Sequence, residues 1–377
     1  MALVPLAPLH AGAAQYDLLV GSYTKTPEQG IYVYRFDGDR GRLQAAPART
    51  VATGNPSWLA VSPDGRHVYS VNEFGDGDPD PVGRVSHLAR DGQGRLTLLQ
   101  SRSTLGDHPA HAALSPDGRY LFVSNYSVGA DPGGTLAVLP LDADGGIGPV
   151  VQIHSYQASG HDRERQASAH VHSATMAPDG RHLLVADLGG DRIYVYRYDP
   201  QANAERPLQP ADPAWVELPP GSGPRHVAFS VDGRHAYATL EMSAQVAVLD
   251  YADGRLRLRG VRDLTEPGFA GSNGASALHL SADGRFLYAA NRGSDNRIAV
   301  FAVGADGDLQ LLQRRSTEGE GPREFALSPD GRHLLVGDQG SDRIVVIARD
   351  PRSGRLGRTL QRIALPMPSD LKFVEPR

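Results

Sequence analysis

The chain has 377 residues, of which 38 are Lys or Arg and 43 are Asp or Glu, so its formal net charge is -5. It has no basic stripe to neutralise nucleic-acid phosphates and no run near the roughly 20 apolar residues of a membrane span, so we expect neither nucleic-acid binding nor membrane insertion. The absence of cysteine excludes disulfides, thiolate metal ligands and a cysteine nucleophile. A turn-rich composition, with 43 glycines and 28 prolines, favours a globular protein acting on a small soluble molecule.

Residues 1–15 precede the first predicted strand and look like the remnant of a signal peptide. The stretch from Ala2 to Leu9 is short and apolar, and Ala11-Gly12-Ala13 then has the small-x-small pattern of a signal-peptidase site, although no Lys or Arg precedes it. We therefore predict export to the periplasm. The alternative is an unstructured N-terminus on a cytoplasmic protein.

A short string of residues recurs along the rest of the chain. It consists of a Ser or Ala, one variable residue and then Asp-Gly-Arg, and its six copies begin at Ser62, Ser115, Ala177, Ser230, Ser281 and Ser328. Successive copies are 47 to 62 residues apart, which suits one four-stranded propeller blade per copy. Each copy lies between two alternating apolar stretches. This arrangement predicts a hairpin turn, with positive φ, between the first two strands of a blade, here called strands a and b.

The two ends of the chain together supply a seventh unit. Residues 18–23 match 334–339, and residues 368–373 match 322–327 without the turn that should follow. Further alternating stretches, such as Arg192 to Tyr198, fill out the units, and helix signals are nearly absent. The sequence predicts an all-β fold, a seven-bladed β-propeller forming a single domain over residues 16–377. Its first blade is closed by the C-terminal strand.

Comparing the repeats separates the predicted scaffold from a predicted site. The turn hardly varies, so its arginines should be solvated or paired. The residue seven places before each turn Asp, at the start of strand a, is in chain order Ser57, Ala110, His172, Arg225, Ser276, Arg323 and, in the split unit, Ser369. The residue nine places after it, at the end of strand b, is Glu73, Tyr126, Leu188, Glu241, Arg292, Gln339 and, in the split unit, Tyr23. Because strands a and b are antiparallel and strand a lines the channel, both sets should meet at the rim opposite the turns.

We interpret this rim as a ligand-binding funnel, because cations, carboxylates and an imidazole would converge there. The alternative is that polar residues merely line a wet channel. Two insertions, over residues 149–172 and 75–82, leave from the same rim and are predicted lids, with ordinary loop variation as the alternative. His170 and His172 lie two residues apart and could bind a metal, but two ligands are too few, so we expect no metal and no other cofactor.

Several blade-specific motifs occur in a characteristic order: Gly21-Ser22-Tyr23-Thr24, Asn55-Pro56-Ser57, Asn72-Glu73, Ser124-Asn125-Tyr126-Ser127, His170-Val171-His172-Ser173, Gly223-Pro224-Arg225-His226 and Ala290-Asn291-Arg292-Gly293. Over residues 16 to 374 they resemble the propeller lactonase family, which includes 6-phosphogluconolactonases, gluconolactonases and, more distantly, carboxymuconate cycloisomerases. The resemblance implies lactone hydrolysis, with functional residues at His172, Arg225, Glu241 and Arg292. One departure is Thr239-Leu240-Glu241-Met242, where Asn-Glu-Leu is more usual, and it puts the contacts around Glu241 in doubt.

Hydrolysis of a lactone needs an activated water, an oxyanion stabiliser and an acid for the leaving alkoxide. We predict that Glu241 or His172 activates the water while the other serves the alkoxide, and that Arg225 and Arg292 bind the oxyanion. The residues predicted to contact the rest of the substrate are Arg323, Glu73, Tyr126, His170 and Tyr23.

Export favours gluconolactone as the substrate, whereas Arg323 near the other arginines would favour its 6-phosphate. A muconate-type cycloisomerase and a non-catalytic binding scaffold are the alternatives from other classes, since a fold alone does not define a function. We expect a monomer or a homodimer.

Overall fold

The computed structural model describes residues 14–78, 81–128 and 134–375, and its regular structure is almost entirely β-strand. The strands form seven antiparallel sheets, which are the blades of a seven-bladed β-propeller. Within the described residues, no helix has the length and apolar character that a transmembrane segment requires. The segment predicted to be a signal remnant lies, up to residue 13, outside the described residues.

Three blades come from the first part of the chain. Blade 1 contains β1 (Gln15–Ser22), β2 (Gly30–Asp37), β3 (Arg42–Leu43), β4 (Arg49–Ala52) and, from the other end of the chain, β29 (Pro368–Val374). Blade 2 contains β5 (Leu59–Val61), β6 (His67–Asn72), β7 (Arg84–Arg90) and β8 (Leu96–Ser103). Blade 3 contains β9 (Asp107–Leu114), β10 (Tyr120–Ser127), β11 (Leu136–Pro140) and β12 (Gln152–His154).

The other four blades follow in chain order. Blade 4 contains β13 (Val171–Met176), β14 (His182–Asp187), β15 (Arg192–Tyr198) and β16 (Leu208–Glu217). Blade 5 contains β17 (Pro224–Phe229), β18 (His235–Leu240), β19 (Gln245–Ala252) and β20 (Arg255–Asp263). Blade 6 contains β21 (Ala275–Leu280), β22 (Phe286–Asn291), β23 (Arg297–Val303) and β24 (Leu309–Ser316). Blade 7 contains β25 (Pro322–Leu327), β26 (His333–Asp338), β27 (Arg343–Arg349) and β28 (Leu356–Ala364), with a short 3₁₀ helix at Gln339–Ser341.

The repeated string forms the turn from strand a to strand b, as its position between alternating stretches predicts. In all six copies the glycine has a φ between 65° and 70°, a conformation that glycine adopts without steric cost. In blade 5, Oδ1 of Asp232 accepts a hydrogen bond from the Ser230 hydroxyl (2.6 Å), and Arg234 Nε donates to Oδ2 (2.7 Å). The arginine is therefore paired within its own turn.

The propeller is closed by pairing between the two ends of the chain. Strand β29 lies antiparallel to β1, with Leu18 opposite Phe373 and Val20 opposite Leu371. The carboxylate of Asp370 also accepts a hydrogen bond from the Leu59 backbone N–H of blade 2 (2.7 Å). The C-terminal strand therefore completes blade 1, as predicted, and ties it to its neighbour.

The hydrophobic core lies mainly between neighbouring blades. One cluster, for example, joins Leu184 and Ile193 of blade 4 to Ala236 and Leu249 of blade 5, all fully buried. Successive blades face each other through such apolar side chains, so each sheet buries both of its faces. Because the apolar core lies between the blades, the inner strands a can carry polar side chains at the central channel.

Candidate active site

A β-bulge marks the start of strand a in six of the seven blades. The pairing of strands a and b is interrupted at the position seven residues before the turn Asp, and the residues concerned are Ala110, His172, Arg225, Ser276, Arg323 and Ser369. A bulge bends its strand and changes the direction of the extra side chain. These residues therefore depart from the strict alternation of strand a at the end of the channel opposite the turns.

The two variable sets do meet at that end of the channel, and one polar cluster surrounds Glu241. Oε2 of Glu241 lies 3.1 Å from Nε of Arg225 and 2.9 Å from Nη2 of Arg292. Its other oxygen, Oε1, accepts a hydrogen bond from Nη2 of Arg165 (2.8 Å). Three guanidinium groups from three different segments of the chain thus hold one carboxylate.

The charge of Glu241 follows from this arrangement. Burial alone would raise the pKa of its carboxyl group, but Arg292 and Arg225 outweigh burial and hold the pKa well below its usual value. Arg225 responds in the opposite sense, because burial together with Arg292 and Arg323 lowers its pKa to about 9. An additional negative charge beside Arg225, such as a developing oxyanion, would be stabilised there.

A second polar cluster surrounds Glu73. The Tyr23 hydroxyl donates a hydrogen bond to Glu73 Oε2 (2.6 Å), and so does the Ser57 hydroxyl. Nη2 of Arg323 lies 3.5 Å from the same oxygen, and the Arg323 guanidinium lies over the Tyr23 ring at 5.1 Å. Tyr23, Glu73 and Arg323, all predicted substrate contacts, therefore form one connected group.

His172 lies between these charges and the interior of the channel. It is buried, its Nδ1 makes no hydrogen bond within the described residues, and its ring lies 5.4 Å from that of His226. Burial and the positive charge of Arg225 hold its pKa well below 6.5. The imidazole is consequently neutral at neutral pH, while the nearby charge of Glu241 acts in the opposite direction and favours its protonated form.

Tyr126 and His170 form the side wall next to His172. The rings of Tyr126 and His170 are stacked, with centroids 4.4 Å apart, and the His170 Nδ1 lies 2.7 Å from the backbone oxygen of Tyr126. His170 precedes β13 and His172 is bulged, so the two histidines are not neighbours on one face of a regular strand, as their spacing had suggested. Tyr126 instead contacts both rings, with its centroid 5.8 Å from that of His172.

The contact between Arg165 and Glu241 was not predicted from the sequence. The insertion that carries Arg165 was, however, predicted to be a lid over the rim. The segment between β12 and β13 brings Arg165 to Glu241 and also to the Tyr126 hydroxyl (3.3 Å), so this predicted lid does reach the site. In the described part of the other predicted lid, Oδ2 of Asp78 accepts a hydrogen bond from the Gly75 N–H (2.9 Å) and lies 3.8 Å from Nε2 of His108. Residues 79 and 80 of that segment lie outside the described residues.

Sequence reasoning also missed a second layer of channel side chains beneath the rim. His226 contacts Arg225, and His279 Nε2 lies 2.6 Å from Oε1 of the fully buried Glu324. These residues line or adjoin a cavity of about 590 Å³ that runs along strands a towards the turns. For His226 and Glu324 the signal was present in the repeats, since the residue six places before each turn Asp varies as much as the residue seven places before it, whereas His279 lies four places before its turn Asp.

The fold and the rim define a class of protein, a seven-bladed propeller with a charged site at one mouth of its channel. The model of the family described as "Lactonase, 7-bladed beta-propeller" matches residues 17–373, and the chain belongs to this family. Among curated relatives, a 6-phosphogluconolactonase from Formosa agariphila is 33% identical over 361 residues, covering 94% of this chain and 99% of that protein. A 6-phosphogluconolactonase from Bacillus subtilis is 31% identical over 358 residues, covering 94% and 97%.

Solved structures include a nearer relative. The periplasmic gluconolactonase PpgL of Pseudomonas aeruginosa superimposes with a TM-score of 0.93 and is 53% identical, covering 97% of this chain and 100% of that one. A structure described as a putative 6-phosphogluconolactonase from Bacteroides fragilis has a TM-score of 0.87 and 35% identity, covering 98% and 100%.

Proposed function

We propose that this protein is a lactonase that hydrolyses glucono-1,5-lactone to gluconate in the periplasm. The observation that carries the proposal is the group formed by His172, Glu241, Arg225 and Arg292, in which a neutral imidazole lies near Arg225 and near the ionised carboxylate that pairs with Arg225 and Arg292. Such a group can supply the proton acceptor and the anion-binding donors that hydrolysis of an ester requires.

The protonation states assign a role to each side chain. His172 is neutral, so it takes the proton of the attacking water, and the nearby Glu241 carboxylate stabilises the imidazolium that forms. The resulting imidazolium gives that proton to the ring oxygen as the acyl C–O bond breaks. Glu241 stays ionised and orients the arginines, and Arg225 and Arg292 donate to the oxyanion of the tetrahedral intermediate. The acid product then ionises, so each turnover releases one proton to solution.

The neutral lactone is preferred over its 6-phosphate for two reasons. Each of the four arginines at the rim, Arg165, Arg225, Arg292 and Arg323, already pairs with Glu241 or Glu73, so part of their positive charge is balanced and a phosphate dianion would gain less there than beside unpaired arginines. The structural relative with 53% identity is named a periplasmic gluconolactonase, and this name also supports export. 6-Phosphogluconolactone is the second candidate, because both of the curated relatives described above are named for it.

Proton release by the purified protein tests the proposal. Glucono-1,5-lactone and its 6-phosphate are compared at equal concentration, against spontaneous hydrolysis and against the Glu241→Gln and His172→Asn variants. We expect faster turnover of the neutral lactone and loss of that turnover in both variants. A preference for the phosphate would support the second candidate and a cytoplasmic role, and no acceleration of either lactone would favour a binding scaffold.

Product analysis separates hydrolysis from cycloisomerisation. The same imidazole, carboxylate and arginines could act on a muconate-like dicarboxylate, so the wild-type protein is also incubated with such a substrate. Conversion of the dicarboxylate to a lactone, without turnover of gluconolactone, would contradict the hydrolase assignment.

A further inference from the structure

Arg165 differs from the other arginines around Glu241 in its origin. Arg225 lies on β17 and Arg292 directly follows β22, so both are carried by the blades, whereas Arg165 comes from the segment between β12 and β13. It reaches Glu241 over a sequence separation of 76 residues. The contact therefore depends on how this one segment lies over the rim.

The three arginines are arranged from the channel interior to the mouth of the funnel. The side-chain exposure is 2% for Arg225, 21% for Arg292 and 43% for Arg165. Arg225 and Arg292 share Oε2 of Glu241, while Arg165 binds Oε1. A lactone whose carbonyl oxygen lies at the two deeper arginines would have its opposite end, with its hydroxyl groups, near Arg165.

Arg165 has donors to offer a ligand. Its contacts with Glu241 and the Tyr126 hydroxyl both use Nη2. A guanidinium group has five N–H donors, so these contacts leave the donors on Nη1 and Nε for substrate hydroxyl groups. The exposed position means that those donors can be reached from solvent.

The segment that carries Arg165 is anchored on both sides of it. Asp162 Oδ1 accepts hydrogen bonds from the backbone N–H groups of Glu164 (2.9 Å) and Arg165 (2.8 Å). The next residue, Gln166, is fully buried and donates to the Leu188 backbone oxygen (2.9 Å) and to Asp191 Oδ1 (2.8 Å). The backbone on either side of Arg165 is thus held before a ligand arrives, which lowers the entropic cost of binding.

We propose that Arg165 is a specificity-determining residue, which binds the ring hydroxyl groups of a sugar lactone and so selects polyhydroxylated lactones over unsubstituted ones. This inference rests on the proposed lactonase function. The inference follows from the position of Arg165 at the mouth of the funnel. Arg165 binds Oε1 of Glu241, whereas Arg225 and Arg292, which are assigned to the oxyanion, lie at Oε2.

The experiment combines removal of the Arg165 side chain with removal of the hydroxyl groups from the substrate. Wild type and Arg165→Ala are assayed with glucono-1,5-lactone and with δ-valerolactone, which has the same six-membered ring without hydroxyl groups. We expect kcat/KM for gluconolactone to fall by about 10- to 100-fold, mainly through KM, as for loss of a hydrogen bond to a charged group. For δ-valerolactone we expect a change of less than about threefold, since the deleted contact does not exist there.

The matched control is Arg163→Ala, which removes the same charge from an exposed position in the same segment and should leave both activities unchanged. Equal losses on the two lactones would show that Arg165 acts only through Glu241, and no loss on either would show that it does not contact the substrate. Both results overturn the inference.

Calorimetric binding of gluconate supplies a readout that does not depend on turnover. We expect weaker gluconate binding in Arg165→Ala than in wild type and in Arg163→Ala. If the wild type hydrolyses neither lactone but binds gluconate in an Arg165-dependent way, the proposed hydrolysis is wrong and the recognition stands. If wild type and Arg165→Ala bind gluconate equally, the recognition is wrong whatever the activity.

Discussion

Glu241 remains ionised in a buried position because three guanidinium groups surround it. Its two oxygens are bound by Arg225, Arg292 and Arg165, so the cost of burying the charge is offset by direct pairing. Arg225, almost completely buried, depends on this carboxylate in return. At the scale of single residues the site is therefore a coupled group of charges, in which a change in one side chain alters the others.

Replacing Arg292 with alanine should separate catalysis from stability. We expect kcat to fall on the order of 10² to 10³-fold, as when one oxyanion donor is lost. The melting temperature should stay close to that of wild type, because Arg225 and Arg165 still pair with Glu241 and the Arg292 side chain is partly exposed. Lactone turnover and thermal unfolding measured on the same preparation check both halves of this prediction.

The control for that experiment is Arg234→Ala, which removes an exposed arginine paired within the turn of blade 5. It should change neither turnover nor melting temperature by a measurable amount. Near-normal turnover in Arg292→Ala would remove Arg292 from the mechanism.

Asp338 makes stability depend on pH. It is fully buried at the end of β26, where blades 2, 3 and 6 have an asparagine whose amide donates hydrogen bonds, as Asn72 does to the Gly54 oxygen (2.6 Å). Burial raises the pKa of Asp338 to about 7. The unfolded carboxyl group titrates near 4, so its contribution to stability is complete below about pH 4 and is lost as the pH rises to about 7.

We therefore expect Asp338→Asn to raise the free energy of unfolding at pH 8 by more than at pH 5. Urea unfolding of wild type and variant at the two pH values measures this difference. The converse substitution, Asn72→Asp, should lower stability increasingly as the pH rises. An Asp338→Asn effect that is the same at both pH values would mean that the carboxyl group is not protonated in the folded state.

Two kinds of structural element position the residues of the candidate active site. The bulges at the start of strands a depart from the alternation that would otherwise send neighbouring side chains to opposite faces of the sheet. The segment between β12 and β13 adds a side chain from outside the blades, and Gln166 anchors it. The blades supply a rigid frame, whereas this segment supplies the part of the site nearest to solvent.

Replacing Gln166 with alanine should loosen that segment while leaving the blades intact. The substitution removes the hydrogen bonds to Leu188 and Asp191, and we expect faster amide hydrogen exchange over residues 155–170 together with a higher KM for the lactone. Hydrogen exchange followed by mass spectrometry and steady-state kinetics measure the two effects. Gln157→Ala, at an exposed position of the same segment, is the matched control, and unchanged exchange in Gln166→Ala would contradict the anchoring role.

The whole molecule depends on the pairing of its two ends. Strand β1 is fully buried from Leu18 to Val20 and lies between β29 and β2, so loss of β29 would leave β1 as an open edge. The hydrogen bond from Leu59 to Asp370 would be lost as well. The stability of the closed ring therefore depends on the C-terminal strand β29, which pairs with β1 and contacts blade 2.

A chain that ends at Leu365 should melt at a clearly lower temperature than the full chain and should aggregate, because both the edge of β1 and the apolar surface beneath β29 become exposed. A chain that ends at Glu375 keeps β29 and serves as the control. Calorimetry and light scattering on the two truncated chains measure the difference. If the shorter chain melted like the full chain, the end-to-end closure would not be needed for stability.

The repeated turn and the strand alternation are visible in the amino-acid sequence, because each depends on residues close together in the chain. The split first blade is visible because each of its two parts matches a repeat elsewhere in the chain. Turn chemistry at Asp-Gly-Arg and a period of two along a strand are local properties. Six copies of the turn, together with the unit split between the chain ends, indicate the seven blades of the propeller. Comparison of equivalent positions even placed His172, Glu241, Arg225 and Arg292 at one rim, since antiparallel pairing brings the start of strand a beside the end of strand b.

Only the tertiary structure decided how those side chains are arranged and charged. The bulge at His172, the reach of Arg165 to Glu241 and the layer beneath the rim all depend on segments that are distant in sequence. The ionised state of Glu241 and the neutral state of His172 likewise follow from burial and from neighbours on other blades. The amino-acid sequence contains no distances between such segments. The contacts and protonation states of the site therefore follow only from the three-dimensional structure.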